Sequence, residues 1–459
     1  MGQTGQGRKV GLISLGCAKN LVDSEFMLGQ FRDAGYEITP DPDQADLLVV
    51  NTCGFIADAE AESRAAIQEM ADLKARHPGQ RLVVTGCLSQ RYGAQLVKDI
   101  PGIDVLLGSG QYQELIRAVQ IPQADPDRPA LILGPPTYLP DGNARRVSTT
   151  PAHLAYVKIA EGCNNPCAFC VIPHLRGPFR SRPPLEIEAE VRQLAARGVK
   201  EINLVSQDTT LYGRDLSPRT DLTSLLNRLE DIDGILWIRL LYLYPTLISD
   251  RLLITILRQP KVVPYLDMPL QHFHTDTLTR MRRAERSTSV QRLLRRVRGV
   301  LPDAVLRTTM IVGFPGETDK EFQALYDFVA EAKFDHLGVF IYSDEKGTPA
   351  YDLPNKVPAE VAEERMNQLM MLQQGISREK LVRLVGQTIP VLVDRISTES
   401  DLLLEGRFAG QAPDVDGVVY INDGSQYPPG SMVQVRITES HEYDLVGTVV
   451  SGPSGSGAG

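Results

Sequence analysis

The stretch Gly162–Pro173, GCNNPCAFCVIP, carries the most specific chemical pattern of the chain. It sets Cys163, Cys167 and Cys170 on one short loop, directly after the apolar strand candidate Leu154–Ile159. Cysteine thiolates are the usual protein ligands of iron–sulfur clusters. A Cys-x3-Cys-x2-Cys spacing supplies three thiolates from one loop. It can therefore hold three irons of a cubane cluster and leave the fourth iron without a protein ligand.

An iron without a protein ligand is a place where a small molecule can bind. S-adenosylmethionine can chelate such an iron through its amino and carboxylate groups, and one electron from the cluster then releases a 5′-deoxyadenosyl radical. A zinc site completed by His174 is the alternative for the same loop. A disulfide is disfavoured because three cysteines cannot pair off.

Strands and helices alternate along the chain from this loop onward. Six apolar runs separated by helical patterns predict a full or partial β/α barrel over residues 151–380, with its site at the carboxyl ends of the strands. The strand candidates are Leu154–Ile159, Glu201–Val205, Ile235–Tyr242, Tyr265–Met268, Leu306–Val312 and Leu337–Ile341.

Upstream of the loop, three further apolar runs each lead into a cysteine. The runs are Lys9–Leu15, Leu47–Val50 and Leu82–Thr85, and the cysteines are Cys17, Cys53 and Cys87. Helical patterns between them, at about Ser24–Ala34 and Ala57–Ala75, predict a parallel α/β domain over residues 8–122. Ligands collect at the carboxyl ends of such strands, so we expect these thiolates to meet and hold a second cluster. Buried core cysteines are the plain alternative, but each cysteine has a glycine beside it, which permits close backbone approach.

The remaining segments complete the predicted architecture. Residues 123–150, rich in Pro, Gly and Asp, predict a linker, and Ala359–Val385 has the pattern of a long amphipathic helix. Short β-type runs predict a small all-β barrel over residues 381–450, and residues 451–459 predict a flexible tail. The fold class is thus α/β: a parallel N-terminal domain, a TIM-like full or partial barrel and a C-terminal β-barrel.

Composition excludes some functions. The net charge is −9, so a global basic footprint for nucleic acid is absent. No apolar run is long enough to span a membrane, and the N-terminus lacks the features of a signal peptide. We expect a cytoplasmic protein with no membrane partner, in which clustered thiols indicate metal or catalysis.

The cysteine loop in its strand alternation resembles the radical S-adenosylmethionine superfamily, and the three upstream cysteines narrow this to its methylthiotransferases. Ser14–Glu25 (SLGCAKNLVDSE), Asn51–Ile56 (NTCGFI) and Tyr342–Pro349 (YSDEKGTP) look like the RimO-type branch, which modifies a ribosomal protein. The branch that modifies tRNA tends to have Gln-Met-Asn after the first cysteine. Ala18, often proline in the family, is a small departure. The resemblance covers nearly the whole chain.

The resemblance implies a transferase that adds a methylthio group to the β-carbon of an aspartate in small-subunit ribosomal protein number twelve. It implies two 4Fe-4S clusters and two uses of S-adenosylmethionine, as methyl donor to sulfur and as radical source, together with a one-electron reductant. The first cluster falls on Cys17, Cys53 and Cys87, and the second on Cys163, Cys167 and Cys170. All six cysteines are then catalytic.

The C-terminal barrel resembles the TRAM domain, often an RNA binder. Residues 381–450 hold four basic and ten acidic residues, a net charge of −6. RNA affinity depends on phosphate neutralisation, so this charge disfavours direct RNA binding and suits a basic ribosomal protein. Two alternatives stay open: a tRNA methylthiotransferase, and a non-catalytic zinc-bound adaptor that docks on the ribosome.

Other candidate site residues rest on weaker signals. Gly313 and Gly316, in the GFPGE stretch after a strand, and Gln207 are predicted to contact S-adenosylmethionine; a plain strand-to-helix turn is the alternative for the glycines. Arg176, Arg180 and Arg182 follow the cluster loop and are placed to neutralise cluster or substrate charge. The arginine run that begins at Arg280, and includes Arg282, Arg283 and Arg286, predicts a solvated helix face.

Overall fold

The computed structural model describes residues 5–121, 129–142, 144–423 and 426–451. The predicted tail beyond Ser451 lies outside the described residues, as do residues 123–128 and Asn143 of the predicted linker. None of the described helices is long and apolar enough to cross a membrane.

The first module is a six-stranded sheet in which every strand pairing is parallel. Its strands are β1 (Lys9–Ser14), β2 (Glu37–Ile38), β3 (Leu47–Thr52), β4 (Arg81–Gly86), β5 (Val105–Leu107) and β6 (Ala130–Ile132). Its helices are α1 (Ala18–Asp33), α2 (Ala57–Arg76), α3 (Cys87–Tyr92), α4 (Ala94–Asp99) and α5 (Leu115–Val119). The strand order β2-β1-β3-β4-β5-β6 sets β1, β3 and β4 side by side. Strand β6 falls within the segment predicted as a linker, because its three apolar residues make a run too short to stand out between Pro-, Gly- and Asp-rich flanks.

The second module is a parallel sheet of six strands in chain order, open between its first and last strands, which is a partial β/α barrel. Its strands are β7 (Leu154–Lys158), β10 (Glu201–Val205), β11 (Trp237–Leu240), β12 (Val262–Asp267), β13 (Val305–Val312) and β14 (His336–Ile341), and a two-stranded ribbon, β8 (Ala160–Glu161) and β9 (Arg180–Ser181), stands beside them. The helices are α6 (Ile172–Arg176), α7 (Pro184–Ala196), α8 (Leu222–Glu230), α9 (Asp250–Arg258), α10 (Thr275–Arg280), α11 (Ser287–Val300) and α12 (Asp319–Ala332).

The helices of the barrel form because apolar residues recur at helical spacing. In α11, Val290, Leu293, Leu294 and Val297 are the buried residues, while the intervening arginines face outward. Such a stripe lets one face of a helix pack on the sheet. The same spacing that predicted these helices from the sequence therefore also fixes which face of each lies inward.

The third module begins with the long helix α13 (Ala359–Leu381) and ends in a closed five-stranded barrel. Its strands are β15 (Thr388–Ile396), β16 (Leu404–Arg407), β17 (Val419–Asn422), β18 (Met432–Ser440) and β19 (Leu445–Ser451). Alternate residues such as Val433, Val435 and Ile437 point into a small apolar core of its own. This is the TRAM-like barrel that the turn-separated β runs predict.

One hydrophobic cluster joins the three modules. It contains Phe26 of the first module, Tyr156 and Tyr265 of the partial barrel, and Leu392 and Ala412 of the C-terminal module. Burial of apolar surface stabilises a domain interface in the same way as a domain core. The modules are therefore held in a fixed arrangement, and the cysteines of the first sheet have a defined position relative to the cysteine loop.

Candidate functional site

The first cysteine group lies at the carboxyl edge of the N-terminal sheet. Cys17 follows β1 as the N-cap of α1, and Cys53 directly follows β3. Cys87 opens α3 immediately after β4. Because these three strands are neighbours and run in the same direction, their ends deliver three thiols to one place. The sulfur of Cys87 lies within electrostatic range of both Cys53 and Cys17.

Glycines beside these cysteines allow the close approach. Gly16 has a φ of +90°, and a Cβ there would lie 2.8 Å from the Cβ of Cys53. Gly86 has a φ of +100°, and a Cβ there would lie 2.5 Å from the backbone oxygen of Thr52. Only glycine adopts such angles without strain, and any side chain would separate the strand ends.

The second cysteine group is held by the loop between β8 and β9. The backbone N–H of Asn165 donates to the Sγ of Cys163 over 3.4 Å, and that of Ile172 donates to the Sγ of Cys170 over 3.4 Å. Hydrogen bonds to ligand sulfurs are one of the means by which a protein tunes an iron–sulfur cluster. The loop is thus shaped to direct its amides at the sulfurs.

Arg283 also belongs to this second group, which corrects the prediction of a solvated arginine run. It is 6% exposed, and its Nη1 donates to the Sγ of Cys167 over 3.8 Å. Glu285 pairs with it at 2.9 Å, and its guanidinium lies 4.2 Å from the ring centre of Tyr244. The pattern of charges misled because a buried arginine with a carboxylate partner has the same sequence signature as an exposed one.

Arg176 connects the two cysteine groups. It belongs to α6, just after the cysteine loop, yet its Nε donates to the Sγ of Cys87 in the first module over 3.2 Å. It also donates to Asp23 over 2.7 Å and to the side-chain oxygen of Asn20. Of the three arginines that the sequence placed near a cluster, Arg182 instead pairs with Glu190 at 2.6 Å, and Arg180 donates to backbone oxygens.

A buried ionic network surrounds Arg176. Lys158 at the end of β7 pairs with Asp23 of α1 and, at 2.5 Å, with Glu161 of the cysteine loop. Gln207 donates to Glu161 over 2.5 Å. Burial raises the pKa of Glu161, but Lys158 and Arg176 outweigh it and hold that pKa well below its ordinary value. A paired, hydrogen-bonded network of this kind fixes one geometry, because removal of any partner leaves a buried charge uncompensated.

No sequence motif predicted Lys158, Asp23, Glu161 or Lys19 as site residues. Lys19 is buried, and its Nζ lies 3.3 Å from the ring centre of Tyr242, which follows β11 with a φ of +60°. Lys19 and Asp23 both lie in the SLGCAKNLVDSE stretch, whose polar residues look like an ordinary exposed helix start. Only the docking of the partial barrel on α1 buries them.

The thiols differ in acidity. Burial raises the pKa of Cys87 to about 11 and that of Cys170 to about 12, and it also raises those of Cys53 and Cys163. Cys17 keeps an exposed side chain; desolvation by the surrounding protein acts on it in the same direction, but the charges of Lys19 and Arg176 and two backbone N–H groups outweigh this and lower its pKa. Since metals bind the thiolate, cluster assembly must displace protons from most of these cysteines.

The donor set fits an iron–sulfur cluster better than zinc. A tetrahedral zinc with Zn–S bonds of about 2.3 Å sets its sulfurs about 3.8 Å apart. Among the described residues, the only trio of histidine, cysteine or carboxylate ligand atoms within 4.8 Å of one another is His274, Asp276 and Glu321. In each cysteine trio at least one pair of sulfurs therefore lies more than 4.8 Å apart, which is farther than a zinc ion requires. His174, proposed as the fourth zinc ligand, is exposed.

The three remaining candidates for contact with S-adenosylmethionine are Gln207, Gly313 and Gly316. Gln207 contacts Glu161, two residues before Cys163, and its Oε1 is buried without a hydrogen-bond partner among the described residues. Gly313 and Gly316 have φ values of +73° and +78° and neighbour Ala362 and Arg280. Phe314, between the glycines, packs in the same cluster as Ala168 of the cysteine loop.

Three family models match the three modules. Uncharacterized protein family UPF0004 matches residues 9–108, the radical SAM superfamily matches residues 157–329, and the TRAM domain matches residues 385–450. Fold and site together define a radical S-adenosylmethionine enzyme with an additional cysteine-bearing α/β module and a TRAM barrel.

Relatives along the full chain identify the family. A protein of Geobacter sulfurreducens named ribosomal protein uS12 methylthiotransferase RimO is 46% identical over 96% of this chain and 99% of its own length. Proteins with the same name from Myxococcus xanthus and Sorangium cellulosum are each 48% identical, over 96% and 98% of this chain and over 92% and 93% of their own lengths. The chain belongs to the RimO family. It is a radical S-adenosylmethionine methylthiotransferase whose cofactors are 4Fe-4S clusters and S-adenosylmethionine.

Solved structures agree on the fold. The radical S-adenosylmethionine methyltransferase TsrM from Kitasatospora setae, with cobalamin and a [4Fe-4S] cluster bound, superposes with a TM-score of 0.57 at 18% identity. The match covers 75% of this chain and 77% of that one. It supports the joint arrangement of an α/β module and a radical S-adenosylmethionine barrel.

Proposed function

We propose that this enzyme adds a methylthio group to the β-carbon of an aspartate in ribosomal protein uS12, with one cluster on each cysteine group. The observation that carries the proposal is the juxtaposition of the two groups. Three strand ends present Cys17, Cys53 and Cys87, and Arg176 of the second module contacts one of them. A reaction that delivers sulfur to a carbon radical needs both groups to act on a single carbon.

In this assignment Cys163, Cys167 and Cys170 hold the cluster that binds S-adenosylmethionine, with Gln207 beside it. When bound, the clusters and S-adenosylmethionine supply the radical that removes one hydrogen, and the sulfur and methyl group that replace it. Donors to the cysteine sulfurs, among them Arg176 and Arg283, stabilise the thiolate form of the ligands.

The two cysteine groups are held in a fixed relative position by the ionic network of Lys158, Asp23, Glu161 and Arg176. Its residues come from α1, β7, β8 and α6, so it ties the first module to the cysteine loop. Apolar packing of Phe55 and Cys87 against Val171 and Leu175 keeps water from the same interface. Exclusion of water protects a reactive intermediate from side reactions.

A ribosomal protein is favoured over tRNA as the substrate by the charge of the C-terminal module. Arg407, Asp394 and Asp416 are used in contacts to the partial barrel. The other charged residues of the 381–450 segment are three basic and eight acidic, of which Glu405 is buried and Asp414 accepts a hydrogen bond from Tyr156 of the partial barrel. This acidic surface favours a basic protein partner and disfavours binding to the phosphates of RNA. A one-electron reductant of the cytoplasm completes the proposed reaction.

The test combines metal analysis with a substrate assay. Reconstituted protein should contain about eight irons, and a Cys163/Cys167/Cys170 triple-alanine variant about four. Incubation with purified uS12, S-adenosylmethionine and a chemical reductant should replace one hydrogen of an aspartate by a methylthio group, and mass spectrometry should show the corresponding net gain in mass. Modification of tRNA instead of uS12, or full activity in the triple variant, would overturn the proposal.

A further inference from the structure

Lys19 is a buried cation with an unusual environment. It is 8% exposed, two residues after Cys17, and its ammonium lies over the ring of Tyr242 at the carboxyl end of β11. It is within electrostatic range of both Cys17 and Glu161, which precedes the cysteine loop. Lys19 therefore faces the space between the two cysteine groups.

The other buried lysine and arginine side chains of the described structure each have a carboxylate within 4.0 Å. Among the described residues, Lys19 has none. A buried charge is costly unless it is paired, and aromatic contact replaces only part of the missing partner. Cys17 and Glu161 lie within electrostatic range of Lys19, but no carboxylate of the described residues is in direct contact with its ammonium, which is therefore free to pair directly with an anionic ligand.

The backbone at Tyr242 supports a built site. Its φ of +60° is uncommon for a bulky residue, and such strain collects at ligand sites, where surrounding contacts enforce it. Its N–H donates to Asp267 over 2.9 Å and its carbonyl accepts from Thr209 over 3.0 Å. These bonds hold the ring in place beneath the lysine.

The proposed substrate brings an anion to this space. The β-carbon of an aspartate is bonded directly to its carboxylate carbon, so a β-carbon between the cysteine groups places that carboxylate there as well. We propose that Lys19 is a specificity-determining residue that pairs its ammonium with the side-chain carboxylate of the target aspartate. This inference rests on the proposed function. Arg176 and Lys158 cannot take the role because Asp23 and Glu161 already occupy them.

The test is a double-mutant cycle between enzyme and substrate. Binding to the reconstituted enzyme is measured by fluorescence anisotropy with a uS12 peptide that spans the modified aspartate, and with the same peptide carrying asparagine there. The wild type should bind the aspartate peptide roughly tenfold or more tightly, the scale of a charge-assisted hydrogen bond. In Lys19→Gln this preference should fall to within about twofold, and Lys19→Arg should restore part of it.

Controls separate the possible roles of the lysine. Lys333→Gln removes the same charge from an exposed salt bridge with Glu379 and should keep the wild-type preference. S-adenosylmethionine affinity, iron content and the electron paramagnetic resonance spectrum of the cluster on Cys163, Cys167 and Cys170 should be unchanged in Lys19→Gln. A fall in S-adenosylmethionine affinity would assign Lys19 to the cofactor carboxylate, and altered cluster spectra would assign it to the cluster. Either result, or an equal loss for both peptides, would overturn the inference. Absence of uS12 modification by the wild type would instead overturn the proposed function.

Discussion

The ion pair that fastens the TRAM barrel to the partial barrel gives the sharpest test of the architecture. The Nη2 of Arg407 lies 2.8 Å from Glu201 of β10, and its Nε lies 2.7 Å from Asp394 of β15. The Arg407 side chain is 4% exposed and that of Glu201 is fully buried. We expect Arg407→Ala to destabilise the protein strongly, because it leaves one buried and one partly buried carboxylate with fewer partners.

The size of the expected stability loss depends on the partners that the two carboxylates keep in the variant. Removal of one partner of a buried pair costs about 3–5 kcal/mol. Glu201 keeps Arg239 at 2.9 Å and Asp394 keeps His153 at 2.9 Å, so we expect the lower end, about 3 kcal/mol. An unfolding entropy of about 2.1 cal/mol/K per residue over the whole chain converts this to a fall in Tm of about 3 °C.

Arg395→Ala is the matched control in the same module. Arg395 pairs with Glu405 at 2.6 Å, but its side chain is 65% exposed. An exposed pair is worth about 0.2–1 kcal/mol, so Tm should fall by less than about 1 °C. Differential scanning calorimetry measures both variants, and limited proteolysis should release the C-terminal barrel sooner in Arg407→Ala. Equal shifts for the two variants would refute the reasoning that burial makes this pair important.

Three further predictions concern the cysteine groups. In the apoprotein, Cys17 should be alkylated by iodoacetamide before Cys53, Cys87, Cys163 and Cys170, since it is exposed and its pKa is lowered whereas their pKa values are raised. Peptide mapping across a pH series checks this, and faster labelling of any of these four cysteines near neutral pH would contradict it. Arg176→Met should lower the reduction potential of the N-terminal cluster by removing a hydrogen bond to its cysteine ligand; a redox titration followed by electron paramagnetic resonance, with an unchanged potential as the contrary result, tests it. Gly16→Ala should reduce iron content towards half because its Cβ meets Cys53, whereas Gly198→Ala, with a φ of +97° and open space around it, should retain full content.

The order of the helices and strands could be predicted from the sequence because local residue patterns determine it. Apolar runs and helical spacing depend on neighbours along the chain, and they gave the α/β sheet, the barrel strands and the TRAM barrel. Boundaries were less accurate: α1 begins at Ala18 rather than near Ser24. Cys17 caps this helix without a side-chain hydrogen bond, so the sequence carries no start signal there.

The two cysteine groups could also be predicted from the sequence, because cysteines at a fixed spacing or at successive strand ends indicate a shared chemical role. Their glycine neighbours indicated close approach, and the positive φ angles of Gly16 and Gly86 give the physical reason. The sequence did not indicate which basic side chains contact these cysteines. Arg176, Arg180 and Arg182 are equivalent by position in the sequence, and only Arg176 reaches a thiol across the module interface.

The sequence by itself determined the fold class, the two cysteine groups and the family, because each depends on local periodicity or on fixed spacing. Tertiary structure alone decided the environment of the charges. Burial turned Lys19 and Arg283 from apparent surface residues into parts of the site, and it used Arg407 and Asp394 to join two modules. The energy of a charge depends on its desolvation and on partners far along the chain, and neither is visible in the residues beside it.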